Sequence, residues 1–420
     1  MEYVIVGNGV AAVGAVEGIR KIDSTGPITV ISAEPYRAYG RPLIANLLSG
    51  KITEKDVYYR DDDFYASHGV NFLSGKKAGT IEVEKKSIVL EDGTAVSFGR
   101  LLIATGGIPF IPPMKGIGGP GVYTFTTLDD AKRLEQAAGK VERIVVIGGG
   151  LIGLKAAESL HDRGIMVTVV ELADRILSSA FDREAGDIVE KRLREVGIEI
   201  ILENSVREIV RAKGRVKGVV MNDGERRDCG AVVVAIGVIP NKAIVEGTGI
   251  MTDRGILTDD YLETSVPGIY AAGDVAEAPD LLLGRKRVTP IWPNAYLQGR
   301  CAGMNMAGAK KAYRGGMAMN SIEFYGIPTV SMGVSNPPEE GYAVRRVYEP
   351  ERNIYRKIVL RDHRLVGAVL VGRIDRSGIL TALMTGRTDV ESIEDDILND
   401  GFGFASMPAD MRKKILAENR

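Results

Sequence analysis

The stretch "YVIVGNGVAA" (residues 3–12) decides the fold. A short β-branched run meets Gly7, Gly9 and Ala12 at the spacing of a strand–turn–helix unit that cradles a dinucleotide. Gly7 serves the tight turn, Gly9 lets the backbone approach a pyrophosphate, and Ala12 takes the close-packing place open to glycine or alanine. The phosphates are expected on the helix N-terminus, where free N–H groups and the helix dipole favour an anion. The next strand, "ITVIS", runs towards Glu34, which is placed to hold a ribose hydroxyl.

The same plan returns 141 residues later in "IVVIGGGLIG" (144–153), where Gly148, Gly150 and Gly153 complete the pattern and Ile152 lies among them. Its ribose acid is Glu171, at the end of "MVTVVE". A carboxylate there bonds a 2′-hydroxyl and repels a 2′-phosphate, so NADH is expected over NADPH. Arg175, four residues on, has two readings: a cation that softens this preference, or, the reading favoured here, a solvated surface residue. Each copy closes on a strand and a small-residue turn: "LLIATGGIP" (101–109), with Ala104, Thr105 and Gly106, and "VVVAIGVIP" (232–240), with Gly237.

Around these lie three further elements. "SIVLEDGTAVSF" (87–98) predicts a hairpin inserted in the first module, and "TTLDDAKRLEQAAG" (126–139) an N-capped helix leading into the second. "SVPGIYAAGDVAE" (265–277) brings Gly273 to a strand end and Asp274 to a position facing a polyol or phosphate-bound water. From about residue 317, strands and then a helical tail from about Asp375 predict an α+β unit. The expected class is α/β: two Rossmann-like dinucleotide-binding domains (1–112 with 240–316, and 113–239) plus a C-terminal α+β interface domain (317–420).

Lys and Arg total 54 against 55 Asp and Glu, which lacks the basic excess that nucleic-acid binding favours. Cys229 and Cys301 are the only cysteines, too few for an iron–sulfur cluster of about four ligands. Any cluster must belong to a partner. The histidines (68, 161 and 363) are too scattered for a metal site. The apolar opening "MEYVIVGNGVAAVGAV" starts with an acid and has no basic n-region, so it reads as strand and helix, not signal peptide. No membrane span is expected, and the cytoplasm is the expected compartment.

The ordered set "VGNGVAA", "EPYRAYGRPL", "LLIATGGIP", "VVIGGGLIG", "VVELADRIL", "AIGVIPN" and "GIYAAGDV" resembles the FAD- and NAD(P)H-dependent pyridine nucleotide–disulfide oxidoreductase superfamily across nearly the whole chain. The resemblance implies FAD contacts at Gly7, Gly9, Ala12, Glu34, Arg41, Pro42, Ala78, Ala104, Thr105, Gly106, Gly273, Asp274 and Trp292. It implies an NADH side at Gly148, Gly150, Ile152, Gly153, Glu171 and Gly237. Disulfide reductases of that superfamily carry cysteines on the helix that here reads "RPLIANLL", so a disulfide substrate is excluded by the missing thiol. The segment is instead similar to that of rubredoxin reductases, ferredoxin reductases and the flavin part of nitrite reductase. FAD/NADH subunits of multi-subunit oxidoreductases have the same general shape.

One departure concerns charge. The related reductases have lysine where Asn46 stands and glutamate where Lys155 stands, an ion pair beside the reactive flavin edge. Lys155 is expected in the first turn of its helix, against the dipole, and approaching the flavin; Asn46 and Lys155 are therefore the candidate catalytic pair. The expected activity is hydride transfer from NADH to FAD and one-electron exchange with an iron–sulfur or rubredoxin-type partner. The basic run "GRKRVTPIW" (Arg285, Lys286, Arg287) is a candidate docking element. Two alternatives remain: an NADH oxidase that forms hydrogen peroxide, and a flavin-bearing, NADH-responsive interaction protein.

Overall fold

The computed structural model describes residues 1–338 and 340–418. It contains two compact units, one formed by Met1–Leu47, Lys51–Pro109 and Val238–Met317, the other by Leu48–Gly50, Phe110–Gly237 and the chain from Ala318 onward.

The first unit is built on a parallel sheet in the order Ile269–Ala271, Arg100–Ile103, Tyr3–Val6, Ile28–Ser32, Val70–Ser74. Tyr3 lies opposite both Ile28 and Arg100, and the four residues of Tyr3–Val6 are all buried. Successive side chains of a strand point to opposite faces. Tyr3 and Ile5 accordingly join one core, with Val13, Val16 and Ile19 of the helix Val10–Ile22, while Val4 and Val6 join another, with Ile81, Ile88 and Phe98. That second core lies under the hairpin layer Ala78–Glu82, Ser87–Leu90 and Ala95–Ser97. Each fully buried valine or isoleucine contributes roughly 1.5–3 kcal/mol of burial.

On the first core the helix Val10–Ile22 runs beside the helix Trp292–Met306 at backbone contact distance. A Cβ added at Gly14 or Gly18 would collide with the carbonyls of Tyr296 or Arg300, and one added at Gly299 or Gly303 with those of Ala11 or Ala15. Two glycines spaced by four on each helix thus let the backbones meet without side chains between them.

The second unit holds another parallel sheet, ordered Glu199–Ile201, Met166–Val170, Arg143–Ile147, Ala231–Val234, Val122–Tyr123. The helix Leu128–Ala138 enters it through a capping box of Thr127 and Asp130. The C-terminal part is a five-stranded antiparallel sheet, ordered Met319–Phe324, Ile327–Gly333, Arg364–Val371, Ile354–Arg361, Ala343–Glu349, followed by helices including Ser377–Thr385. The two parts of this unit are tied by Asp182, the N-cap of the helix Arg183–Glu195. Its carboxylate accepts from the Tyr355 hydroxyl at 2.5 Å and pairs with the Lys357 ammonium. Among the described residues no helix is long and apolar enough to cross a membrane.

Candidate functional site: two dinucleotide cradles

The two fingerprints are the same object at the level of single torsions. Gly7 has φ +106° and Gly148 φ +109°, the left-handed side that a side chain resists, and a Cβ at either would strike the carbonyl of Ala104 or Ala235, the residue just past the end of the neighbouring strand. Gly9 and Gly150 then cap the helices Val10–Ile22 and Leu151–His161 in extended backbone, with no side-chain cap bond. A Cβ at either would meet nothing within 4 Å. Each helix therefore begins at an open concavity with uncapped first-turn amides, the arrangement that fits a pyrophosphate. Ala12 is buried, and a Cβ at Gly153 would strike the Gly148 carbonyl, so both third positions are packing positions.

In the first unit Gly273 sits between Ala11 and Ala295, at the N-terminal ends of the two paired helices, and its N–H is held at 2.8 Å by the side-chain oxygen of buried Gln298. Asp274 follows, half-buried; burial pushes its carboxyl above the usual range, with the Arg41 charge opposing. Arg41 also pairs with Glu34 at 2.9 Å, and the buried Tyr39 hydroxyl donates to the other Glu34 oxygen at 2.6 Å. The Glu34 carboxylate is thus held on both oxygens by its own neighbours. Arg41 and Pro42 are exposed in a 3-10 turn (Arg41–Leu43) that continues into the helix Ile44–Ser49, where Asn46 is half-buried. Thr105 donates to the Asn241 carbonyl at 2.6 Å, and Gly106 accepts the Asn241 N–H at 2.9 Å, which pins the closing turn. Ala104 is buried, Ala78 opens its strand opposite Leu90, and Trp292 begins the helix Trp292–Met306 edge-on to Tyr59, centroids 4.5 Å apart.

In the second unit Glu171 accepts the Gly149 N–H at 2.5 Å and the Ala173 N–H at 2.8 Å. Ile152 is half-buried in the first turn of its helix, and Gly237 has φ +127° with open space where a side chain would be. Lys155 corrects an expectation: it is the fifth residue of Leu151–His161, beyond the first turn, so the dipole penalty does not fall on it. Its ammonium pairs with the buried Glu158 three residues on, donates to the Glu323 carbonyl at 3.3 Å and lies 5.7 Å from the Phe324 ring centroid.

The basic run is also spent internally. Arg287 pairs at 2.6 Å with Asp280, whose side chain is 1% exposed, and Lys286 with Asp260 at 3.3 Å; Arg285 is exposed. Cys229 and Cys301 are buried, and burial pushes the Cys229 thiol up to about 11, which keeps it protonated. His161 bonds Tyr325 and His363 bonds Glu394.

Motif spacing missed Tyr39, Gln298 and Asn8. Asn8 donates to the Tyr36 carbonyl and accepts from Tyr65, fixing the loop before Arg41. Their partners are distant in sequence or aperiodic; only the polar residue inside "GNG" gave a local hint.

Comparison with known proteins agrees with this geometry. The family model described as pyridine nucleotide-disulphide oxidoreductase matches residues 1–299, and that of the rubredoxin NAD+ reductase C-terminal domain matches 319–388. The NADH-dependent phenylglyoxylate dehydrogenase subunit epsilon of Aromatoleum evansii is 33% identical over 93% of this chain and 92% of its own length. Nitrite reductase [NAD(P)H] of Bacillus subtilis is 32% identical, but the chain spans only 48% of it. The covalent putidaredoxin reductase–putidaredoxin complex superposes with a TM-score of 0.88 at 27% identity, covering 99% of this chain and 98% of that one.

Proposed function

The chain belongs to the pyridine nucleotide-disulphide oxidoreductase family, and on that premise we propose that it is an FAD-dependent NADH:acceptor oxidoreductase serving an iron–sulfur or rubredoxin-type partner. The observation that carries the reading is the duplicate cradle: Gly9 and Gly150 each open a helix at a point where an added Cβ meets nothing within 4 Å, beside separate sheets, each with an acid just past the next strand, Glu34 and Glu171. Hydride acceptance and one-electron release are the chemistry a bound flavin supplies. The residues of this chain bind and orient. The helix starting at Val10 takes the FAD pyrophosphate, Glu34 its adenosine ribose and Asp274 its polyol chain; the helix starting at Leu151 takes the NADH pyrophosphate, and Glu171 its adenosine ribose.

The helix Ile44–Ser49 holds no thiol, so electrons leave without a cysteine relay. Lys155 and Asn46 stand where the related reductases place an ion pair, and we include both as tuning residues. The resemblance to a dehydrogenase subunit of nearly equal length favours service within a larger complex. The cytoplasm, where thiols stay reduced, suits two buried free cysteines.

The test is anaerobic. Protein reconstituted with FAD should bleach on addition of NADH and then reduce a rubredoxin or ferredoxin faster than it reduces oxygen. Material that stays colourless after reconstitution, or holds its yellow colour against NADH, defeats the proposal; preferential transfer to oxygen makes it an oxidase.

A further inference from the structure

The loop that follows the second ribose acid, "ELADRIL" (171–177), is clamped at both ends to one fingerprint residue. Gly149 donates its N–H to Glu171 at 2.5 Å and accepts the Leu177 N–H on its carbonyl at 2.9 Å. Asp174 and Arg175 are therefore held at the crown of a closed loop, three and four residues past the carboxylate that meets the ribose. There the Asp174 carboxylate takes two guanidiniums: Arg175 on one oxygen at 2.7 Å, and Arg183, the first residue of the next helix, on the other. The Arg175 Nε is turned to the Phe181 carbonyl at 3.4 Å. Arg183 also feels the charge of Asp187 on the same helix.

A 2′-phosphate is the group that distinguishes NADPH from NADH, and paired arginine forks are the side chains that grip phosphate best. Both forks here are already committed to a carboxylate. We propose that Asp174 is a positioning residue for cofactor choice: by holding Arg175 and Arg183 it withholds the cations a 2′-phosphate would need, adding a second barrier to the repulsion from Glu171. The inference rests on the reading of this cradle as the NADH site. It also says what Glu171 cannot do alone, since removing Glu171 lifts the repulsion yet leaves the arginines occupied.

The half-exposed setting sets the size. Asp174 is 40% exposed and Arg183 55%, and ion pairs at such exposure are weak, so the effect is a matter of a few-fold. The experiment uses the full chain loaded with FAD, and calorimetric titration with ADP-ribose and 2′-phospho-ADP-ribose, which carry the distinguishing group and no redox chemistry. Asp174→Asn should tighten the phosphorylated probe by about three- to five-fold and change ADP-ribose less than about two-fold. Glu171→Gln with Asp174→Asn should gain more than the product of the single changes. Adding Arg175→Gln and Arg183→Gln should erase the gain, as should about 0.5 M salt.

Equal change for both probes, or a double variant no better than Glu171→Gln, overturns the proposal. Should Asp174→Asn fail to fold, Asp174→Ser repeats the measurement. Failure of the unaltered protein to bind ADP-ribose overturns the NADH reading itself, and this inference with it; binding of ADP-ribose with no response to Asp174 overturns this inference alone.

Discussion

Asp182 holds Lys357. The carboxylate that caps the helix Arg183–Glu195 also receives an ammonium from a strand 175 residues away, whose side chain is only 5% exposed. A buried cation of this kind is tolerated because its counter-charge is fixed in place. Asp182→Ala removes the cap, the Tyr355 acceptor and the counter-charge together, and should lower stability by about 3–5 kcal/mol in denaturant unfolding. Combining it with Lys357→Met should recover most of that loss, because the stranded charge dominates.

The open concavities at Gly9 and Gly150 separate folding from binding. Valine at either position fits the extended backbone and its Cβ meets no protein atom within 4 Å, so unfolding of the apoprotein should change only by the loss of a glycine N-cap, about 1 kcal/mol. Gly9→Val should abolish FAD retention on gel filtration. Gly150→Val should keep the yellow colour and lose ADP-ribose binding in calorimetry.

Asp274 titrates in the opposite sense to a paired carboxylate. Its folded carboxyl ionises above the usual range because of burial, so the native state holds that proton more tightly than the unfolded chain. The contribution favours folding below the unfolded value of about 3.9 and is lost as pH rises through the folded value; at neutral pH the ionised carboxylate opposes folding. Asp274→Asn should stabilise the apoprotein at pH 7, flatten its acid-side stability profile and weaken FAD retention. Unchanged apoprotein stability with the same profile would show that burial does not govern this group.

Lys155 neutralises a carboxylate 7% exposed, that of Glu158. Lys155→Met should therefore cost about 1–3 kcal/mol, with Glu158→Gln in the same chain restoring it. A shift of the flavin midpoint potential in Lys155→Met that persists in the restored double variant would assign the lysine a tuning role separate from its structural one.

What could be read before the fold was known was whatever repeats or sits at fixed spacing. Gly7, Gly9, Gly148 and Gly150 are legible because backbone torsion and open space select glycine at fixed intervals along one strand–helix unit. The Thr127 cap and the 87–98 hairpin follow from equally local chemistry. Illegible were the partners of charges. Nothing near Arg287 in sequence distinguishes a docking cation from one paired with the buried Asp280, and nothing near Glu34 shows that Tyr39 and Arg41 orient it. Lys155 was misplaced by a single helical position, because glycine rather than a capping side chain opens that helix and leaves its start unmarked.

The glycine-seated pairing of Val10–Ile22 with Trp292–Met306 sets an order of events during synthesis. The earlier helix leaves the ribosome about 270 residues before its mate, an interval of tens of seconds at ordinary elongation rates. Residues 122–234, by contrast, emerge as one contiguous stretch carrying all five strands of their own parallel sheet. The parallel sheet begun first thus gains its covering helix only after the second sheet has fully emerged, and a nascent chain halted before residue 292 should be a chaperone client at its amino-terminal end while its middle already resists protease.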